Sequence, residues 1–242
     1  MERTGQARLN LLGGFELRVG DEVVDVPAGS QRLLALVAVR GGTVARAEAI
    51  ALLWGDRDAQ RANANLRAAL WRIPMPARAL LEVDRSSVVL GPVSCDVHEL
   101  EALAATLTDI EATSDDLPNH VDLRPFLLDL LPANYEDWAL DERERIRGIS
   151  LGALVSLCRR LSDLQRHSEA IEAGLLAVAA DPLREAAHAA LIDAHLAEGN
   201  RHDAEQQYAR CRAQLLADLG VEPSFRLAEP RSGAVDAEVT AS

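Results

Sequence analysis

The 242-residue chain contains no lysine, so all 25 of its basic side chains are arginine. A guanidinium therefore says little by its identity, and only its position can argue for a binding role. Aromatic residues are scarce as well, with three Trp, three Phe and two Tyr. Leu, Val and Ala must fill the cores, a composition that suits helices. The three cysteines, Cys95, Cys158 and Cys211, are odd in number and far apart. They form no CxxC or Cys/His cluster at metal-ligand spacing, so reduced, buried thiols and no metal are expected. No apolar run approaches the roughly 20 residues needed to span a bilayer, and no leader pattern opens the chain. A cytoplasmic protein without a membrane partner is expected. GxSxG, P-loop, GxGxxG and HExxH patterns are all missing, so neither catalysis nor a cofactor is implied.

The charge that is present is unevenly placed. Residues 1–97 hold 12 Arg against 11 acids, whereas residues 98–242 hold 13 Arg against 27. The formal net charge of −13 thus belongs to the second half, and only the first half suits a polyanion.

Between residues 8 and 26 the apolar residues alternate in pieces: Leu9 and Leu11, a turn at Gly13-Gly14, then Phe15, Leu17 and Val19, and after Gly20-Asp21 the pair Val24 and Val26. This predicts a small antiparallel sheet. Ser30 suits the N-cap of a helix with Leu33, Leu34, Val37 and Ala38 inside, stopped by Gly41-Gly42. After a short extended piece comes a second helix, expected to bury Ala47, Ile50, Ala51 and Trp54 and to stop at Gly55. A third helix covers residues 58–73 and ends at Pro74 and Pro76, because proline cannot continue the ladder. Leu81 and Val83, the turn Asp84-Arg85-Ser86-Ser87, and Val88 to Leu90 then predict a hairpin. Sheet, helix, strand, two helices and a terminal hairpin is the order of a winged helix, with the hairpin around Arg85 as its wing.

The third helix has two chemically different faces. Ala62, Leu66, Ala69, Leu70 and Ile73 recur at steps of three and four and should be buried. The other sides carry Arg61, Asn63, Asn65, Arg67 and Arg72 among small residues, so the helix can approach another surface closely. Arg can pair with guanine and Asn with adenine in a major groove that admits an α-helix. Trp71 lies away from the apolar stripe; it could touch a DNA sugar or methyl group, but packing against the wing or the second domain is the expectation.

From Asp96 the sequence turns all-helical. Leu100, Leu103, Ala104 and Leu107 mark one helix, residues 109–119 read as a polar loop, and a charged helix begins near Glu136. Two helix pairs follow, with Ala170 and Ala204 separated by 34 residues, the tetratricopeptide period. The reading is an α+β winged-helix domain over residues 1–95, an all-α tetratricopeptide-like repeat domain over residues 96–227, and a disordered tail at 228–242. The change of composition near residues 91–96 suggests a first half that stands by itself.

Several stretches in their order over both domains, among them LNLLGGFELRVGDEVV, SQRLLALVAVRGG, RANANLRAALWRI, LLPANYEDWALDERERIR and LADLGVEPS, resemble the Streptomyces antibiotic regulatory protein family of transcriptional activators. That family joins a response-regulator-type winged helix to a bacterial transcriptional activator domain. The resemblance implies double-stranded promoter DNA and RNA polymerase as partners, and makes Arg61, Asn65, Arg67 and Arg72 candidate DNA contacts. Members often continue the recognition helix into a second basic cluster, whereas here Pro74-Met75-Pro76 intervenes and leaves only Arg78.

The expected DNA contacts are therefore Arg61, Asn63, Asn65, Arg67 and Arg72 on the third helix and Arg85 at the wing tip, with Arg32 and Arg46 near helix starts as phosphate contacts. The helical domain is expected to mediate homodimer formation, recruitment or signal input. A second reading is open: an adaptor that works through the helical domain, with a winged helix that no longer binds DNA.

Overall fold

The computed structural model describes residues 7–109 and 120–227. Nearly all of the polar stretch at 109–119, and the tail from residue 228 onward, lie outside the described residues. The chain divides into two compact units, Met1–Leu157 and Cys158–Ser242.

The first unit is a winged helix with further helical segments packed onto it. Strands β1 (Ala7–Asn10), β2 (Glu16–Val19) and β3 (Glu22–Val23) form an antiparallel meander. A late strand, β7 (Val93–Cys95), joins it in parallel beside β1, giving the order β3-β2-β1-β7. Leu9 faces Leu17 on one side and Cys95 on the other, and all three are buried. The sequence reading had no fourth strand here.

Helix α1 (Ala28–Val39) is the centre of the unit, with every residue from Leu33 to Val39 buried. It starts at Ala28 behind Pro27, so Ser30 is not its cap. Ser30 is buried, and its hydroxyl donates to the Ala69 carbonyl at 2.7 Å, tying α1 to the third helix. Gly41 and Gly42 have φ of 77° and 83°, a backbone state open to glycine, and they reverse the chain into β4 (Thr43–Ala45). Helix α2 (Arg46–Trp54) buries Ala49, Leu53 and Trp54, while Ala47 and Ala51 are exposed. Trp54 is buried as expected and Ile50 half-buried, but the two alanines were misplaced because alanine marks neither side of a helix.

Helix α3 (Ala59–Arg72) is capped by Asp58, whose carboxylate accepts from the Arg61 N–H at 2.9 Å. Ala62, Leu66, Ala69 and Ile73 are buried as the spacing requires, and Leu70 is half-buried. After a 3-10 turn at Ala77–Leu80, strands β5 (Leu81–Val83) and β6 (Ser87–Leu90) make the wing hairpin, and β4 pairs with β6 to complete the sheet β4-β6-β5.

Composition changes at Asp96, but packing does not. Helix α4 (Asp96–Thr108) is bound to the first sheet: the Asp96 carboxylate accepts from the N–H of Leu11 at 2.9 and 3.0 Å and of Leu12 at 2.9 Å. Arg8 and Glu99 add a two-pronged ion pair. The chain leaving β1 also pairs with residues 129–131, through Gly13 N–H to Asp129 O at 2.8 Å and Leu131 N–H to Leu11 O at 2.9 Å. Helix α5 (Asp137–Asp163) begins in this unit. Its buried Glu142 receives Arg40 of α1 at 3.1 Å and Arg145 at 2.7 Å.

The second unit begins within the last turns of α5 and continues through α6 (His167–Ala180), α7 (Glu185–Glu198) and α8 (Arg201–Asp218) as successive hairpins, α6 on α7 and α7 on α8. The repeat-equivalent Ala170 and Ala204 are both fully buried. At Gly174 a Cβ would meet Cys158 Sγ and the Leu191 side chain at 3.1 Å, so the glycine sets how closely the helices approach. His188 is buried; its Nε2 lies 2.9 Å from the Pro182 carbonyl and its Nδ1 accepts from the Gln207 amide at 2.8 Å. A carbonyl can only accept, so Nε2 carries the proton. Among the described residues no three His, Cys, Asp or Glu are grouped to hold a metal ion, and no helix is long and apolar enough to cross a membrane.

Burial pushes the Cys158 thiol from 9.0 up to about 11. The folded state therefore holds this proton more tightly than the unfolded chain, and the stability it contributes is present below pH 9 and lost as pH rises through 11. Between those values the protein should lose about 2–3 kcal/mol through this group. Urea unfolding at pH 8 and pH 11 measures it: Cys158→Ala should show a smaller alkaline loss than wild type, and equal losses would refute the assignment.

Candidate nucleic-acid interface

On α3 successive residues turn by about 100°, so a face buried at Ala62, Leu66, Ala69 and Ile73 puts Gln60, Ala64, Arg67 and Trp71 outward. Asn65 and Arg72 lie on one flank and Leu70 on the other. Asn63 is exposed and bonds back to the Ala59 carbonyl at 2.7 Å. Arg61 leans toward Asp58, 3.4 Å away, with its side chain 78% exposed.

The arginines of the described part of residues 7–97 divide by partner. Arg8, Arg18, Arg32, Arg40, Arg57 and Arg61 each pair with a carboxylate. Arg46, Arg67, Arg72, Arg78 and Arg85 have no carboxylate partner among the described residues, and all five lie on α3, the wing or the segments adjoining them. Arg46 reaches the Asp84 carbonyl at 3.5 Å and Arg78 the Trp71 carbonyl at 3.4 Å. Positive charge that looks balanced in the composition is thus left free on one surface.

Arg32 stands apart from that surface. It is paired with Glu136, donates to the Leu53 carbonyl at 2.7 Å and lies 5.9 Å from the Trp54 ring centroid. Its guanidinium is occupied within the protein, by a partner 104 residues away that sequence spacing could not reveal.

The wing tip is shaped by Asp84. Its carboxylate accepts from the N–H groups of Ser86 and Ser87, each at 2.6 Å, and from the Ser86 hydroxyl at 2.9 Å. These bonds hold the Asp84 carboxyl down at about 2. The turn leaves Arg85 exposed at its end.

Two concavities flank α3. The one toward the wing has a volume of about 440 Å³; Arg46, Arg67, Trp71 and Arg78 line it, with Leu81 and Val83 from β5. The other, about 210 Å³, lies toward the start of α1 and includes Gly29, Asn65 and Arg72. Trp71 is 73% exposed, against the expectation that it would be packed. Its place on the helix wheel was readable, but the general tendency of tryptophan toward burial outweighed it. The place of Arg78 beside Trp71 depends on the path of the chain after Pro74 and had no signal in spacing.

Residues 95–232 match the bacterial transcriptional activator domain. A search of curated proteins by sequence returns no match. Among solved structures, Mycobacterium tuberculosis EmbR in complex with a low affinity phosphopeptide is similar, with a TM-score of 0.74 and 19% sequence identity. The similarity covers 90% of this chain and 62% of that one, so the chain spans less than two thirds of the EmbR chain and the likeness is one of fold. With the matched region extending over more than half of its length, the chain belongs to the bacterial transcriptional activator domain family.

Proposed function

We propose that the protein is a sequence-specific DNA-binding transcription regulator of the Streptomyces antibiotic regulatory type. In this reading α3 enters the major groove of promoter DNA, the wing lies on the neighbouring strand, and the helical unit recruits RNA polymerase or a second copy of the chain. The observation that carries it is the set of five arginines without a carboxylate partner among the described residues: Arg67 and Arg72 on α3, Arg85 on the wing, Arg46 at the start of α2 and Arg78 in the 3-10 turn. Phosphate contacts supply much of the affinity of such proteins, and a surface with free guanidiniums can make them even where net charge is low. Within it Arg67, Asn65 and Arg72 are the candidate base contacts, Arg61 and Asn63 stand beside them, and Arg46 and Arg85 face the backbone. Arg32 is left out.

Selection of bound fragments from random DNA at stated salt tests the reading. Enrichment of one sequence is expected. Failure to enrich any, with polymerase added, would favour the adaptor reading of the helical unit. On the enriched site Arg67→Ala should cost about 1–3 kcal/mol and relax preference at one base position if it reads a guanine edge. A phosphate-bound Arg67 would instead weaken all sequences alike and lower the salt slope by about one.

A further inference from the structure

We propose that the groove between α3 and β5 is the track for one sugar–phosphate strand of that DNA, with Arg46 and Arg78 as phosphate ligands and Trp71 packed against deoxyribose. The proposal rests on the DNA-binding reading above and adds Arg78 and the Trp71 indole to it, with Arg46 joined to them in one groove.

The groove draws guanidiniums from three separate elements: Arg46 from the start of α2, Arg67 from α3 and Arg78 from the 3-10 turn. No carboxylate lines it. Leu81 and Val83 face it, so the alternation of a strand turns Glu82 to the other side of the hairpin. Three like charges brought together without a counter-charge repel one another until an anion enters. The groove is also more than a charge cluster. An indole 73% exposed stands among the guanidiniums, above the apolar floor of Leu81 and Val83. Cationic and apolar surfaces side by side match a strand in which phosphate and deoxyribose alternate. An acidic protein surface would satisfy the arginines and leave the indole uncovered.

The position agrees with this chemistry. The outer ridge of α3, which runs through Gln60, Ala64 and Arg67, would face the base edges in the DNA-binding reading. The groove lies on the flank toward the wing, where the strand bordering the major groove runs when a helix occupies that groove and a hairpin sits beside it. Contacts of this kind fix register and orientation without reading sequence.

The test uses the full chain and two duplexes, the fragment selected by wild type and a scrambled one, titrated over a range of salt. Trp71→Ala should weaken both duplexes by the same factor, roughly fivefold to tenfold, the worth of some tens of Å² of apolar surface returned to water. Its salt slope should equal that of wild type, and Trp71→Phe should retain most of the affinity. Arg46→Ala and Arg78→Ala should each weaken both duplexes alike and lower the slope by about one. All four side-chain changes should leave the thermal midpoint where it is. Wild-type affinity in Trp71→Ala, a loss confined to the selected duplex, or unchanged slopes in both Arg variants would each overturn the strand track while leaving DNA binding intact. Failure of wild type to select any fragment in the first place would instead remove the DNA-binding reading, and the track with it.

Discussion

Replacing Leu66 by alanine is expected to lower the unfolding free energy by about 2–5 kcal/mol, the cost of lost burial plus the cavity left behind. Leu66 is 0% exposed and lies at the middle of the buried face of α3, which packs on α1. Its neighbours on that face, Ala62 and Ala69, are too small to close over the hole. Domains of this size are stable by only about 5–15 kcal/mol, so the variant should unfold at a clearly lower urea concentration, followed through the buried Trp54. If the proposed DNA binding holds, any loss of affinity should be recovered under conditions that restore the folded population. That behaviour separates Leu66 from Arg67 on the same helix, whose loss should spare the fold. A change below about 1 kcal/mol would mean that this face is not the core contact.

A loss of similar size is expected at Asp96. Its carboxylate is the acceptor for the N–H groups of Leu11 and Leu12, which are 0% and 8% exposed. Each buried donor left unpaired costs about 1–3 kcal/mol, so with two of them Asp96→Ala should lose about 2–6 kcal/mol. Asp96→Asn keeps a carbonyl acceptor and should lose less. Burial pushes the Asp96 carboxyl above its usual range, against the hydrogen bonds from Leu12 and Leu11 that pull it down. The folded state therefore holds this proton more tightly than the unfolded chain. Its contribution is largest below the ordinary carboxylate range and declines as pH rises through the raised value. Wild type should accordingly lose stability relative to Asp96→Asn over that interval, and parallel pH profiles would show that Asp96 is not buried as described. The same bonds bear on any shortened form of the protein. Ending the chain at Pro92 removes both β7 and Asp96, which the first compact unit contains.

How much of this was legible in the sequence differs from element to element. The buried stripe of α3 was readable because Leu66 and Ile73 fix its phase, and the wing because Asp84-Arg85-Ser86-Ser87 is a turn by chemistry. The face of α2 was legible only in part: Trp54 is buried and Ile50 half-buried as expected, but Ala47 and Ala51 are exposed, because alanine marks neither side of a helix. Ser30 looked like a cap because a serine before an apolar run usually is one; its hydroxyl instead answers a carbonyl of α3, a tertiary partner. β7 is three residues long, too short for a period to show, and it exists as a strand only because β1 offers an edge. At the candidate interface, helix position correctly put Arg67 and Arg72 outside. Which arginines stay free depends on distant carboxylates such as Glu136, and no local pattern encodes that.

The parallel pairing of β7 with β1 also sets an order of events as the chain is made. The hairpin of β1 and β2 is complete by Val19, yet the strand that covers the β1 edge begins at Val93. At about 5–20 residues per second, that edge emerges roughly 4–15 s before its partner. A bare strand edge invites pairing with another chain. Arg8 lies on β1 and Arg18 faces it from β2, so the nascent hairpin carries charge through the interval in which it has no neighbour. Neutralising both arginines should therefore lower the yield of folded protein on synthesis more than it lowers the stability of the finished molecule.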